Sequence, residues 1–472
     1  MLFNSLDFWL FLPFCLLVYW CFLGQQVRMQ NYFLLGMSYF FYAFWDCRFL
    51  FLILLSTAID YLVGIQLSKP ARVNRRRWLA VSILANLLIL FTFKYYNFFV
   101  ESFSMILSSI NIQFDVRTLE VVLPVGISFY TFQSMSYSID VYRRQCSAVR
   151  HFPSFALFVA FFPQLMAGPI ERAGDLLPQL ACKKEFDVAQ FQGGFRRFLT
   201  GMVKKVGISP IFLEVADSVY MNPDFYQSGL DLWFYGLLWF IHILMDFSGY
   251  TDMAIGIGMM LGIRLSENFD EVFRTQNFRD FWRRWHITLG HWFRDYFFIP
   301  VSKKSNKYIA GFLTFLLIGL WHGADAGFLL WGSGLGLIWV LEMRFDVFHH
   351  LTKRLRQTTR SVVNTLLFFI VFLPLSQLWP SHTVHDALTL VKTMFSSLSL
   401  SDVRFINEVD SSLCFAFFLF IALEMLANPD RVNKLNAISV YSFIRSYVFV
   451  PLGVIICFEG LWGSVEFEYF QF

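Results

Sequence analysis

Residues 49–77 read FLFLILLSTAIDYLVGIQLSKPARVNRRR, an apolar run over 49–67 followed by a loop holding Lys69, Arg72, Arg75, Arg76 and Arg77. A run of that length suits a membrane helix, and cations packed into a short loop mark its cytoplasmic end. Working outward, further apolar runs lie near 6–23, 31–45, 78–98, 119–140, 206–220, 232–262, 308–322, 326–343, 361–379, 411–427 and 447–463. The pattern predicts an all-α polytopic membrane protein with eleven or twelve spans. Counting back three spans from the 69–77 loop places the N-terminus outside. Counting forward puts Arg143, Arg144 and Arg150, and then the loops Arg264 to Arg294, Lys303 to Lys307, Lys353 to Arg360 and Arg431 to Lys434, on the cytoplasmic side.

Composition agrees. Of the 472 residues, 57% are hydrophobic and 15% charged, whereas a soluble chain carries about 25% charged residues to cover its surface. The same numbers exclude disorder. With 60 Phe, 14 Trp and 19 Tyr, the apolar content is strongly aromatic, as lipid-facing helices and interfacial belts require. The net charge of +4 is small; its placement in short loops carries the information. The seven cysteines (15, 21, 47, 146, 182, 414 and 457) form no CxxC and read as small core residues, with neither a zinc site nor a disulfide framework. The first run, Leu6 to Leu23, has no basic leader or A-x-A pattern and reads as a retained span. No long linker or internal repeat marks a boundary, so residues 1–472 read as one integral membrane domain.

One segment resists the span count. The run 152–168 is short, ends in Ala167-Gly168-Pro169 and is followed by Lys183, Lys184, Arg196, Arg197, Lys204 and Lys205, so both its ends look cytoplasmic. A re-entrant or interfacial element is expected, since broken backbone at membrane depth needs surrounding protein or a water-filled cavity. A short tilted span is the alternative.

Polar groups inside apolar runs are costly and mark candidate sites. Three stand out. In Gly319-Leu320-Trp321-His322-Gly323-Ala324-Asp325 a histidine ends one run and begins a tight turn into the next. A buried imidazole tends to stay neutral, with a lone pair able to take a proton from a hydroxyl, which is what a general base needs. A histidine that only hydrogen-bonds a neighbouring helix fits the same residues. The second stretch, residues 277–298, reads NFRDFWRRWHITLGHWFRDYFF. As one helix over Phe278–Phe298 it would put Phe278, Phe281, Trp282, Trp285, Leu289, Trp292, Phe293 and Tyr296 on one face and Arg279, Arg283 and Arg294 on the other, with His286 at the border. An amphipathic helix lying in the interface fits the same pattern. His286 and His291 do not share a face as a metal pair would. The third stretch, Met245 to Met253 (MDFSGYTDM), sets two carboxylates and three hydroxyls in a long apolar run, which suggests a break or a cavity where Ser248, Tyr250 and Asp252 position a polar substrate or orient a histidine. Gly256, Gly258 and Gly262 match no dinucleotide fingerprint and read as helix packing. No Walker A, HExxH or G-x-S-x-G motif is present, so neither nucleotide hydrolysis nor zinc proteolysis is supported.

Taken together, LPVGISFYTFQSMSYSIDVYR (123–143), FFPQLMAGPIER (161–172), DFSGYTDMAIGIGMMLG (246–262), ENFDEVFRTQNFRDFWRRWHITLGHWFRDY (267–296), GLWHGA (319–324) and the closing FEYFQF resemble the membrane-bound O-acyltransferase superfamily, in its bacterial polysaccharide-acetylating branch. The resemblance implies that His322 is the principal catalytic residue and His286 its partner across a channel, with Trp321 beside the substrate. It implies cytosolic acetyl-CoA as donor, no metal, and an acetyl group passed outward to an extracytoplasmic polysaccharide of alginate or peptidoglycan type, often through an SGNH-hydrolase-like periplasmic transferase. It places the chain in the bacterial inner membrane, in contact with lipid and with no nucleic-acid partner. On that reading Arg279, Arg283 and Arg284 are candidate partners for the donor's phosphates, although inner loops are cationic in any case. Ser248, Tyr250 or His286 is expected to hydrogen-bond the developing oxyanion. The competing expectations are D-alanyl transfer to teichoic acid by a related branch, a polytopic transporter, and a scaffold that only anchors a periplasmic enzyme.

Overall fold

The computed structural model describes residues 1–24, 26–69, 74–110, 118, 123–221, 228–381, 383–398, 403, 405 and 409–426. Among them the regular structure is helical, with no strand. Five helices are long and apolar enough to cross a membrane: Cys47–Ser68, Arg75–Ser108, Gly229–Met260, Ala326–Phe345 and Gln357–Ser376. Shorter apolar helices occupy Leu6–Phe22, Lys307–His322 and Ser411–Glu424. Parts of the expected runs at 31–45, 119–140 and 206–220 are also helical, in Val27–Ala43, Ile127–Arg143 and Ser209–Met221, but fall outside this set. The run at 447–463 and the closing FEYFQF lie outside the described residues.

The chain divides into two compact units. The first takes Met1–Phe195 together with Ala254–Ser266. Its helices are α1 (Leu6–Leu17), α2 (Val27–Ala43), α3 (Leu50–Ser68), α4 (Arg75–Leu90), α5 (Tyr96–Ser109), α6 (Ile127–Arg143), α7 (Phe152–Ala160), α8 (Phe162–Leu165), α9 (Ala173–Ala181) and the start of α10 (Val188–Met202). From Ile127 to Ser138, α6 is buried on every side although it is rich in hydroxyls. Ser134 and Ser138 donate to the Asp60 carboxylate, which also accepts from Ser82 and from Asn86 at 2.8 Å. A fully buried carboxylate is tolerated when its oxygens are satisfied in this way.

The problematic 152–168 segment resolves into α7 and α8, broken at Phe161 (φ −55°, ψ 108°). Nine residues of α7 extend about 14 Å at 1.5 Å each, half of a hydrocarbon core. Residues 155–170 are buried, so the broken backbone is surrounded by protein, as a re-entrant element requires. Glu171 then accepts from the Ser266 backbone N–H at 2.5 Å and from its hydroxyl at 3.1 Å.

The second unit takes Arg196–Met253 and the chain from Glu267 onward. Its helices include α11 (Ser209–Met221), most of α12 (Gly229–Met260), α13 (Phe278–Phe281), α14 (Ile287–Phe293), α15 (Ile299–Ser302), α16 (Lys307–His322), α17 (Ala326–Phe345), α18 (Val347–Thr352), α19 (Gln357–Ser376), α20 (Val384–Ser396) and α21 (Ser411–Leu426). The close α16–α17 hairpin follows from glycine: a Cβ on Gly319 would collide with the Phe328 carbonyl oxygen, and one on Gly332 would lie 2.6 Å from the Phe315 carbonyl oxygen. Small residues let membrane helices approach and gain dispersion contacts. Asp325 caps α17 by accepting from Gly327 N–H at 2.6 Å, which fixes the turn after His322.

Candidate functional site

The sequence 277–298 forms no continuous helix. α13 ends at Phe281, and α14 begins only after His286, which adopts a left-handed backbone (φ 44°, ψ 52°). The expected helical wheel therefore fails as a helix, although Phe278, Phe281, Trp285, Leu289, Trp292 and Phe293 are all buried and Arg283 and Arg294 exposed, as its two faces required. What breaks it is the preceding loop. Asn268 accepts from Ile287 N–H on its backbone carbonyl at 2.9 Å, and Asp270 N–H donates to the Arg284 carbonyl at 2.9 Å. These bonds replace helical ones across the turn. A non-glycine residue with positive φ costs on the order of 1–3 kcal/mol and persists only where its surroundings enforce it, often at functional sites.

Asn268 also fixes the imidazole. Its Oδ1 accepts from the Thr288 backbone N–H at 3.1 Å and the Thr288 hydroxyl at 2.9 Å, and lies 3.2 Å from His286 Nδ1. A backbone N–H only donates, so the atom it meets is the amide oxygen, and the ring nitrogen beside that oxygen carries the proton. In the neutral ring the lone pair then sits on Nε2. His286 is 1% exposed, and burial pushes its basicity down to about 3, so it stays neutral through the physiological range.

His322 is the last residue of α16 and is 3% exposed. Aromatic rings surround it: Trp379 at 4.7 Å between centroids, Trp321 at 5.0 Å, Trp331 at 5.3 Å and Phe328 at 6.5 Å. Trp321 also lies 5.7 Å from the His286 ring, edge to face. The two histidines therefore share one indole wall. These rings fix the position of the imidazole by packing. On the far side of His286 stands Phe247, its ring 4.7 Å away, which brings the 245–253 stretch to the site.

That stretch forms no break: α12 runs through it without interruption. Asp246 is buried and paired with Lys205, itself 2% exposed. Asp252 holds Arg197 at 2.9 Å and Lys204 at 2.7 Å, and Arg197 reaches on to Glu267 at 2.6 Å. Both carboxylates are thus engaged by cations of α10 and the turn that follows it, so the structure places Asp252 in an ion-pair network. Here Gly201 and Gly249 pack so closely that a Cβ on either would strike the other's carbonyl. Ser248 is buried with no partner for Oγ among the described residues, and Tyr250 is buried one turn from Asp246. Thr251 Oγ1 is likewise buried without a partner among the described residues, so Ser248 and Thr251 are the hydroxyls of this stretch open to a ligand. Farther along, the Gly256 carbonyl lies 2.6 Å from where a Cβ on Gly194 would stand, the packing role expected of these glycines.

The three candidate phosphate-binding arginines separate. Arg279 pairs with Glu342 at 3.0 Å and Asp346 at 3.3 Å, and Arg284 with Asp280 at 3.1 Å. Arg283 is exposed and pairs with no carboxylate among the described residues. Among the described residues no group of three or more His, Cys, Asp or Glu could hold a metal. Sequence reasoning missed Asn268, Trp331 and Trp379, which lie 18, 9 and 57 positions from the histidines they serve. Only the orphan polar character of Asn268 beside Glu267 hinted at it.

Comparison with known proteins matches residues 144–378 to the model of the membrane-bound O-acyltransferase family. The probable alginate O-acetylase AlgI of Pseudomonas aeruginosa is 39% identical over 382 residues, covering 79% of this chain and 70% of that protein. The peptidoglycan O-acetyltransferase of Helicobacter pylori is 30% identical over 485 aligned positions, covering 92% and 90%. The teichoic acid D-alanyltransferase of Bacillus subtilis is 31% identical over 227 residues, covering 44% and 56%.

Proposed function

The chain belongs to the membrane-bound O-acyltransferase family and is a membrane O-acetyltransferase of the alginate and peptidoglycan type; from that premise we propose that acetyl-CoA, drawn from the cytosol, is its donor, and that His322 is the base of the transfer. The observation that carries this is the pair of buried imidazoles that both contact Trp321, one of them boxed by aromatic rings. His322 takes the proton from an acceptor hydroxyl as its oxygen attacks the thioester carbonyl. The carbon–sulfur bond breaks, and the imidazolium returns the proton to the departing thiolate. The Ser248 hydroxyl donates to the oxyanion formed between these steps.

Arg283 is the arginine of the 279–284 group left for the donor's phosphates, since Arg279 and Arg284 are neutralised by carboxylates. Acetyl-CoA carries phosphates and cannot cross a bilayer, so its entry is from the side where the basic loops lie. The acetyl group leaves on the opposite side, through a periplasmic transferase that esterifies the polysaccharide. The protein resides in the bacterial cytoplasmic membrane on this reading. Purified protein given radiolabelled acetyl-CoA and an acceptor releases CoA, and His322→Ala does not. Equal CoA release by wild type and His322→Ala overturns the base assignment. Transfer from a D-alanyl carrier-protein thioester, with none from acetyl-CoA, favours the teichoic acid reading instead.

A further inference from the structure

Away from the histidines, α17, α18 and α19 enclose a cleft of about 210 Å³ bounded by Ile338, Leu341, Phe348, Leu351, Leu367 and Ile370. Its walls are aliphatic and aromatic apart from Glu342, whose oxygens are taken by the Phe278 backbone N–H at 2.8 Å and Arg279 Nε at 3.0 Å. The cleft therefore presents no uncompensated charge. It is open on the side where Leu341, Ile370 and Val371 are exposed, on two helices long enough to cross a bilayer. Its lining begins about one turn from the joining loop on α17, at Glu342, and about three turns from it on α19, at Leu367, roughly 5 Å and 15 Å along the two helices.

That joining loop is basic. Arg344, Lys353, Arg354, Arg356 and Arg360 fall within seventeen residues, beside His349 and His350. The one carboxylate among them, Asp346, faces Arg279. Arg344, Lys353, Arg354 and Arg356 are exposed. The helix α18 bridges the two features: Phe348 and Leu351 line the cleft, while Thr352 Oγ1 donates to Asn364 Oδ1 at 2.9 Å and moors it to α19. An apolar slot at acyl-chain depth, topped by exposed cations on the cytoplasmic side, has the complementarity of an anionic phospholipid.

We propose that this cleft binds an anionic glycerophospholipid, one acyl chain between α17 and α19 and the phosphate against Lys353, Arg354 and Arg356. The site is separate from the transferase reading and stands or falls without it. Native mass spectrometry of the purified full-length protein tests it, with dioleoylphosphatidylglycerol and dioleoylphosphatidylcholine supplied together. Phosphatidylglycerol should be retained preferentially, and K353Q/R354Q/R356Q should lose about fivefold of that preference per cation removed. K303Q/K304Q/K307Q, which removes the same charge from another basic loop, should keep it. Leu367→Trp, which fills the slot and spares the cations, should release the bound lipid. Equal retention of the two lipids by wild type overturns the proposal, as does equal loss from both triple variants or full retention by Leu367→Trp. Should K353Q/R354Q/R356Q not purify as a monodisperse protein, Arg354→Gln alone carries the charge arm.

Discussion

His322 and His286 share the Trp321 wall but are held by opposite means. His322 ends a regular helix and is placed by packing: glycines at 319 and 332 draw α16 against α17, and four rings close around the imidazole. His286 occupies a strained left-handed turn and is placed by hydrogen bonds, through Asn268. The first environment is a cage of rings that holds the imidazole by shape. The second holds the ring through Nδ1 and keeps it neutral, since burial disfavours the imidazolium. The contrast teaches that one ring is fixed by shape and the other by its protonation state. On the proposed reading His322 is the base and His286 a neutral partner whose Nε2 accepts.

The largest effect expected is on His322→Ala, which should cost about 10²- to 10⁴-fold in acetyl transfer while the protein still elutes as a folded species. Loss of folding along with activity would break the comparison, since it would make His322 structural. Next comes Asp246→Ala. It removes one partner of a buried ion pair, Lys205 being 2% exposed, and so should destabilise by about 3–5 kcal/mol, read as a lowered denaturation temperature. A variant as stable as wild type would show that the pair does not anchor α12.

Asn268→Asp sharpens the contrast through pH. Wild-type His286, with its basicity near 3, does not titrate between pH 5 and 8. A carboxylate at 268 stabilises the imidazolium and raises that value, so activity should fall as pH drops through the new one. Asn268→Ala should lose rate, on the order of tenfold, without a new acidic limb. Identical pH profiles for the two variants would remove the tautomer argument. The same depression has a stability consequence. An unfolded histidine protonates near 6.5 and the folded one does not, so this contribution is present above pH 6.5 and is lost as pH falls from there toward 3. The smallest effect is expected from Trp331→Phe, which keeps a ring beside His322 and removes only the indole N–H. A rate within about threefold of wild type fits a box acting through the packing of its rings, whereas a hundredfold loss would make that N–H a donor in the reaction.

Much of this was legible in the chain. Long charge-poor runs between basic loops require helices in lipid, because no other open backbone arrangement satisfies its own hydrogen bonds there. The alternation of aromatic and basic residues over 277–298 picked out six side chains that are buried, with Trp282 and Tyr296 only half-buried, even though the helix drawn through them does not exist. Buried histidines in WRRWH and GLWHGA stood out because polar groups are expensive in apolar surroundings. Asp252 stood out for the same reason, and the sequence did not show that its cost is met by Arg197 and Lys204, about fifty residues earlier. Local sequence thus determined what had to be buried. Which groups meet across the chain, Asn268 with His286, Trp379 with His322, Lys205 with Asp246, was decided by tertiary packing, because a polar group's partner is chosen by distance in space, and spacing along a single sequence does not encode it.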